Sequence, residues 1–115
     1  MPYFTNTHTA VVAVAGMEYE PECAGDSDPF IAFGWFNLNP NQRGYMLGNR
    51  RYFYWYAESV DGLVWGNGPY TVHVPRTRFV RCRDVVSSST GEYIVKMQEH
   101  DTEKFPGGVR LIPST

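Results

Sequence analysis

The chain has 115 residues and a formal charge of −2, with 43% apolar and 19% charged residues. This is the size of one domain and supplies enough apolar material for a core, which excludes two domains and a disordered chain. The small net charge gives no general attraction to nucleic acid or to an anionic membrane, so we expect neither as a partner. The longest apolar runs are far shorter than the roughly 18 to 20 residues needed to span a bilayer.

The N-terminus does not resemble a signal peptide. Met1–Phe4 contains no basic residue, and the apolar stretch ends at Glu18 without a cleavage site. We therefore predict a cytoplasmic protein, or an exported one if the sequence is that of a mature chain.

The first half of the chain predicts two strands around an acidic loop. Thr9–Tyr19 is rich in β-branched residues with apolar side chains on both parities, as expected for a central strand. Glu18–Asp28 carries five acidic and no basic residues and predicts a loop. Phe30–Leu38 predicts the next strand. A turn and the short segment Arg43–Leu47 follow it.

Arg51–Ser59 is the most distinctive segment, because aromatic side chains occupy both faces of the strand it predicts. Asp61 and Gly62 then form a strong hairpin signal, typical of a type I′ turn with positive φ at both residues. Four shorter strands are predicted after this turn: Leu63–Trp65, Tyr70–Val74, Arg78–Arg83 and Glu92–Gln98.

Eight or nine short strands with no helical periodicity indicate an all-β protein, built as a single antiparallel β-sandwich or small barrel. We place the β-domain at residues 1–100. Residues 101–115 contain Pro106, Gly107, Gly108 and Pro113 and predict a partly mobile tail.

The two cysteines, Cys23 and Cys82, are 59 positions apart. This spacing excludes a Cys-x-x-Cys motif and permits one intrachain disulfide. Without an export signal, two reduced thiols are the favoured prediction and the disulfide is the alternative.

The order of several short motifs resembles a small, mostly bacterial family catalogued as domain of unknown function number ten thirty-six. The motifs that carry the resemblance span about residues 4–100: Asn6-Thr7, Val11–Ala15, Gly34-Trp35, Leu38, Pro40, Arg51-Tyr52, Tyr54, Tyr56-Ala57, Asp61-Gly62, Trp65-Gly66, Phe79 and Cys82. The resemblance implies a β fold. It supplies no catalytic residue to carry over.

The aromatic residues provide the main candidate for a ligand-binding surface. If Phe53, Trp55 and Ala57 face the core, the tyrosines of opposite parity form an exposed stripe. Such a surface suits a sugar ring, a peptide or a second copy of the chain. The alternative, which is favoured because large aromatic side chains are the natural filling between sheets, is that three of the six residues Trp35, Tyr52, Tyr54, Trp55, Tyr56 and Trp65 pack in the core. The candidate ligand-binding residues are Tyr52, Tyr54, Tyr56, Trp65 and Trp35.

Arginine outnumbers lysine eight to two, and four of the arginines lie within eight positions. Their planar guanidinium groups suit carboxylate or phosphate partners, although the acidic loop could pair with them internally. The candidate anion-contact or partner-contact residues are Arg76, Arg78, Arg81 and Arg83.

No motif specifies a reaction, a metal site or a cofactor. We therefore predict a non-catalytic binding or interaction module with an aromatic contact surface, and a protein or a carbohydrate as its partner. Two alternatives remain open: a structural, homo-oligomeric protein, and a hydrolase that uses the acidic loop and a histidine.

Overall fold

The computed structural model describes residues 3–26, 30–45, 51–82, 93–104 and 109–111. These residues form ten β-strands and one short 3₁₀ helix, which confirms the all-β prediction. The strands are β1 (Tyr3–Asn6), β2 (Val12–Tyr19), β3 (Phe30–Leu38), β4 (Arg43–Tyr45), β5 (Tyr52–Ser59), β6 (Val64–Trp65), β7 (Tyr70–Val74), β8 (Phe79–Cys82), β9 (Tyr93–Asp101) and β10 (Val109–Leu111).

Seven strands form one large sheet in which every paired neighbour is antiparallel. The spatial order is β7-β9-β5-β2-β3-β8, and β6 pairs with β5 outside this path. The predicted strand Thr9–Tyr19 corresponds to β2, which lies in the middle of the sheet between β5 and β3. The predicted strands Phe30–Leu38 and Tyr70–Val74 have the observed bounds.

The large sheet curls around one of its two faces, which we call the inner face. Side chains from both edge strands and from all strands between them meet in one buried cluster on this face, and only a curved sheet allows that contact. The cluster consists of Ala15, Met17, Ala32, Tyr56, Val72, Val74, Phe79, Val95 and Met97.

A small sheet of order β10-β1-β4 packs against the opposite face, which we call the outer face. The Phe4 ring lies 5.8 Å from that of Phe53 and 5.6 Å from that of Trp55, in edge-to-face contacts. Such contacts between buried aromatic rings add to the free energy gained by removing apolar surface from water. Both faces of the large sheet therefore carry core residues, the outer face at the central strands β2, β3 and β5.

The small sheet corrects two expectations. β1 pairs with β10 in parallel, so the fold is not entirely antiparallel. Val109 and Leu111 of β10 are buried in the outer-face core, because their strand lies beside β1. The predicted boundary at residue 100 therefore lies within β9 and does not separate a tail from the domain.

Asn6 fixes the small sheet to the rest of the chain. Its fully buried side chain donates to the carbonyl oxygens of Ala10 and Leu38, at 2.9 and 2.8 Å, and accepts from the backbone N–H of His8. A buried amide is tolerated in a core when its donors and acceptor are bonded in this way.

The turn after β5 differs from the type I′ turn expected from its sequence. Of its two predicted central residues, only Gly62 has a positive φ, of 99°. The backbone N–H of Gly62 donates to the Ser59 carbonyl, and the N–H of Leu63 donates to the Ser59 hydroxyl. Side-chain bonding by Ser59 thus stabilises a different turn, in which only the glycine adopts a left-handed conformation.

Cys23 and Cys82 form a disulfide, so the prediction of two reduced thiols is wrong. Cys23 is buried in the 3₁₀ helix Pro21–Asp26, which replaces part of the predicted acidic loop, and Cys82 ends β8. The bond joins the segment after β2 to an edge strand of the large sheet. The spacing of the two cysteines in the sequence could not show that they lie close together in the fold.

Candidate functional site

A cleft of about 800 Å³ opens at one end of the inner face. It lies where strands β2, β3 and β5 meet the start of β9, the loop that follows β7 and, from the small sheet, the start of β4. Its lining residues combine aromatic, amide and charged side chains: Ala13, Trp35, Phe36, Asn37, Leu38, Gln42, Arg43, Gly44, Glu58, Arg76, Thr77, Arg78 and Tyr93.

Glu58 is the half-buried carboxylate of this cleft, and two tyrosines hold it in position. The hydroxyl groups of Tyr56 and Tyr93 donate to its Oε2 atom at 2.9 and 3.0 Å. Burial, with added effects from Tyr93 and Glu58, raises the pKa of Tyr56 well above its usual value, so this hydroxyl stays protonated. In the described part of the chain, no donor contacts the other carboxylate oxygen, Oε1. Glu58 therefore has an oriented acceptor in the cleft.

Trp35 forms the aromatic wall beside Glu58. Its ring packs at 6.0 Å from Tyr56 and 6.2 Å from Tyr93, and its indole N–H donates to the Pro75 carbonyl at 2.8 Å. That hydrogen bond attaches the loop after β7 to β3. The loop carries Arg76, whose guanidinium carbon lies 4.8 Å above the Tyr93 ring.

The three tyrosines of the predicted stripe differ in their exposure to solvent. The condition for the stripe is met, because Phe53, Trp55 and Ala57 are all buried under the small sheet. Tyr56 is only 6% exposed, and Tyr54 packs against the same inner-face cluster.

The predicted exposed stripe is therefore wrong, because the face opposite Phe53 is also core. Tyr52, at 39% exposure, is the exposed member of the three. It lies on the strand at the end away from Glu58.

The two predicted tryptophans lie on different faces. Trp35 lines the cleft, as a ligand-contacting residue would. Trp65 packs against the outer-face core, with its ring 5.9 Å from that of His8. Trp65 therefore shares no surface with Trp35, since the large sheet lies between the two cores.

Two of the four predicted anion-contact arginines, Arg76 and Arg78, line the cleft. The backbone of Arg81 lies in β8, but its side chain lies outside the described part of the structure, as does all of Arg83. Arg43 joins the two in the cleft from β4. Its guanidinium carbon is 4.1 Å above the Tyr3 ring.

Glu58 and Tyr93 are not among the site residues predicted from the sequence. Glu58 continues the parity of Tyr54 and Tyr56, so a carboxylate at the end of an otherwise aromatic row was the available signal. Tyr93 had no comparable signal, because its contact with Glu58 joins residues 35 positions apart.

A second polar cluster lies at the turn after β5. The Nε2 atom of His8 contacts Asp61 Oδ2 at 2.8 Å, and the Ser59 hydroxyl donates to the other oxygen of the same carboxylate. Asp61 thus lies between serine and histidine, whereas a nucleophilic serine must contact the histidine directly. This arrangement stabilises the turn and does not form a serine nucleophile.

Three further observations concern function. Comparison with models of protein families, with curated proteins and with solved structures finds no match. The resemblance given above remains a prediction. Within the described ranges, no helix has the length and apolarity required to cross a bilayer, and no three metal-binding side chains cluster together.

Proposed function

We propose that this domain binds a saccharide in the cleft around Glu58 and does not transform it. The observation that carries the proposal is the Glu58 carboxylate, held by two tyrosine hydroxyls with its second oxygen directed to no described donor, beside the ring of Trp35. This joins an oriented acceptor to an aromatic wall in a concave site.

A sugar ring matches both parts of this site. Its C–H face packs on an aromatic ring, as the amphipathic rings of Trp35 and Tyr93 allow. Its hydroxyl groups donate to a carboxylate in charge-assisted hydrogen bonds, which are stronger than bonds between neutral groups. The exposed amides of Asn37 and Gln42 add further polar groups to the same wall.

Binding without catalysis is favoured by the number of carboxylates. Most glycoside hydrolases use two carboxyl groups that flank the scissile bond. Among the described residues that line this cleft, Glu58 is the only acidic one. It also accepts hydrogen bonds from two tyrosine hydroxyls, which suits a fixed acceptor.

The proposal is tested by titrating the full chain with a panel of neutral and acidic oligosaccharides. Binding is measured by calorimetry and by changes in NMR chemical shift. Glu58→Gln preserves the shape of the side chain but removes its charge. Because hydrogen bonds to charged groups contribute about 1.5–3 kcal/mol, we expect affinity to fall roughly 10-fold or more.

The matched control is Glu103→Gln, since Glu103 is an exposed carboxylate paired with Arg51 outside the cleft. This variant should bind as the wild type does. Wild-type affinity in folded Glu58→Gln, or no saccharide bound by the wild type, would contradict the proposal. Self-association without saccharide binding would instead support the assembly alternative.

A further inference from the structure

The cleft is positively charged although the chain as a whole is acidic. Its described lining contains three arginines, Arg43, Arg76 and Arg78, and one carboxylate, Glu58. The formal charge of the whole chain is −2. A concave site concentrates the field of the charges that line it, so this cleft attracts anions locally.

Two of these arginines are positioned by aromatic rings. Arg76 lies over Tyr93, and Arg43 lies over Tyr3. Stacking of this kind fixes the guanidinium, while the N–H donors in its plane stay able to bind a carboxylate bidentately.

In the described part of the chain, no acidic side chain forms an ion pair with the three arginines of the cleft. The arginine ion pairs found there involve Arg51, which contacts Asp101 and Glu103 away from the cleft. Arg43, Arg76 and Arg78 form no such pair among the described residues. An anionic ligand group would therefore meet guanidinium groups that the described carboxylates leave unpaired.

We infer that the ligand is an acidic saccharide, with a ring carboxylate at the arginines and ring hydroxyls at Glu58; this rests on the proposed function. The positions of the charges in the cleft determine how the ligand is oriented. The Glu58 carboxylate repels another carboxylate but accepts from hydroxyl groups, so the ligand's anionic group lies toward Arg76 and Arg78.

The test compares acidic trisaccharides with a neutral form of the same size. The probes are trimers of galacturonic acid and of mannuronic acid, together with the methyl ester of the galacturonic acid trimer. We expect at least one acid trimer to bind about 10-fold or more tightly than the ester, with an affinity that falls as salt rises.

Substitutions of the cleft arginines test whether the cleft causes the preference for the acidic sugar. The double variant Arg76→Gln/Arg78→Gln should bind acid and ester alike. The control is Lys96→Gln, which also removes a positive charge but at an exposed position in β9. Lys96 alternates with Val95 and Met97 of the inner face, so its side chain lies on the other side of the sheet. This control should keep the preference.

The outcomes separate the inference from the proposed function. Equal binding of acid and ester, or binding of neutral sugars alone, overturns the inference and leaves saccharide binding standing. Failure of every saccharide overturns both. A tetraglutamate peptide that binds as tightly as the acid trimers also overturns the inference, because charge without a sugar would then suffice.

Discussion

The inner and outer faces of the large sheet each contain a buried core, but the two cores use different aromatic residues. The outer-face core packs Phe4, Phe33 and Phe53 with Trp55. The inner face instead contains Tyr54 and Tyr56, whose hydroxyl groups bond to carboxylates. The difference follows from what closes each face.

The small sheet covers the central part of the outer face, so a phenol hydroxyl beneath it would need a buried partner or would lose its hydrogen bond to water. The inner face is closed by curvature and remains accessible at its ends. At one end Tyr56 reaches Glu58, and at the other Tyr54 reaches Glu99 at 3.0 Å. Tyrosine thus fills the core with its ring and supplies a donor at the rim, which is why the candidate site lies on this face.

The largest expected effect is on the outer face. Phe4→Ala removes the ring that joins the small sheet to Phe53 and Trp55, and should reduce the free energy of unfolding by about 3–5 kcal/mol. Urea denaturation measures the change. Ile94→Ala, at an exposed apolar position, should cost less than about 1 kcal/mol. Similar losses in the two variants would show that the small sheet does not hold the outer face closed.

The second prediction concerns the disulfide that holds β8, an edge strand of the large sheet. Replacing both Cys23 and Cys82 with serine frees β8 from the segment after β2. The closed loop has a sequence separation of 59 residues, for which the chain-entropy estimate is about 4 kcal/mol and the usual range is about 2–4. Reduced wild type should show the same loss as the double variant in urea. A change below about 1 kcal/mol in either sample would contradict this prediction.

A smaller effect on folding stability is expected when the pH is raised, through Tyr54 on the inner face. Burial, together with Glu99, raises the pKa of Tyr54 to about 12. Since an unfolded tyrosine titrates near pH 10, folding favours the neutral phenol, and this stabilisation is present below about pH 10 and lost as pH rises toward 12.

Tyr54→Phe removes that titration. Its free energy of unfolding should therefore fall less than that of the wild type between about pH 9 and 11.5. We expect a difference of about 1 kcal/mol after allowing for solvent screening. Parallel stability curves for the two proteins would show that Tyr54 is not coupled to folding in this way.

Much of the fold could be predicted from the sequence because local chemistry determines it. The bounds of Phe30–Leu38 followed from an apolar run that ends at a turn, and those of Tyr70–Val74 from alternation between turn formers. The parity of β5 showed that Phe53 and Trp55 share one face and the tyrosines the other, but left open which face is buried. These patterns depend on the two-residue period of a strand, which a single segment contains in full.

Tertiary structure alone decided the rest, because it depends on contacts between distant segments. Strand parity could not show that the face carrying Tyr56 is also buried, since that burial arises from curvature of the whole sheet. Nor could it pair β1 with β10, about a hundred residues later. The sequence determined an aromatic, all-β chain. Only the folded sheet placed Tyr93 and Arg76 beside Glu58, because a cleft is formed by elements that the sequence keeps apart.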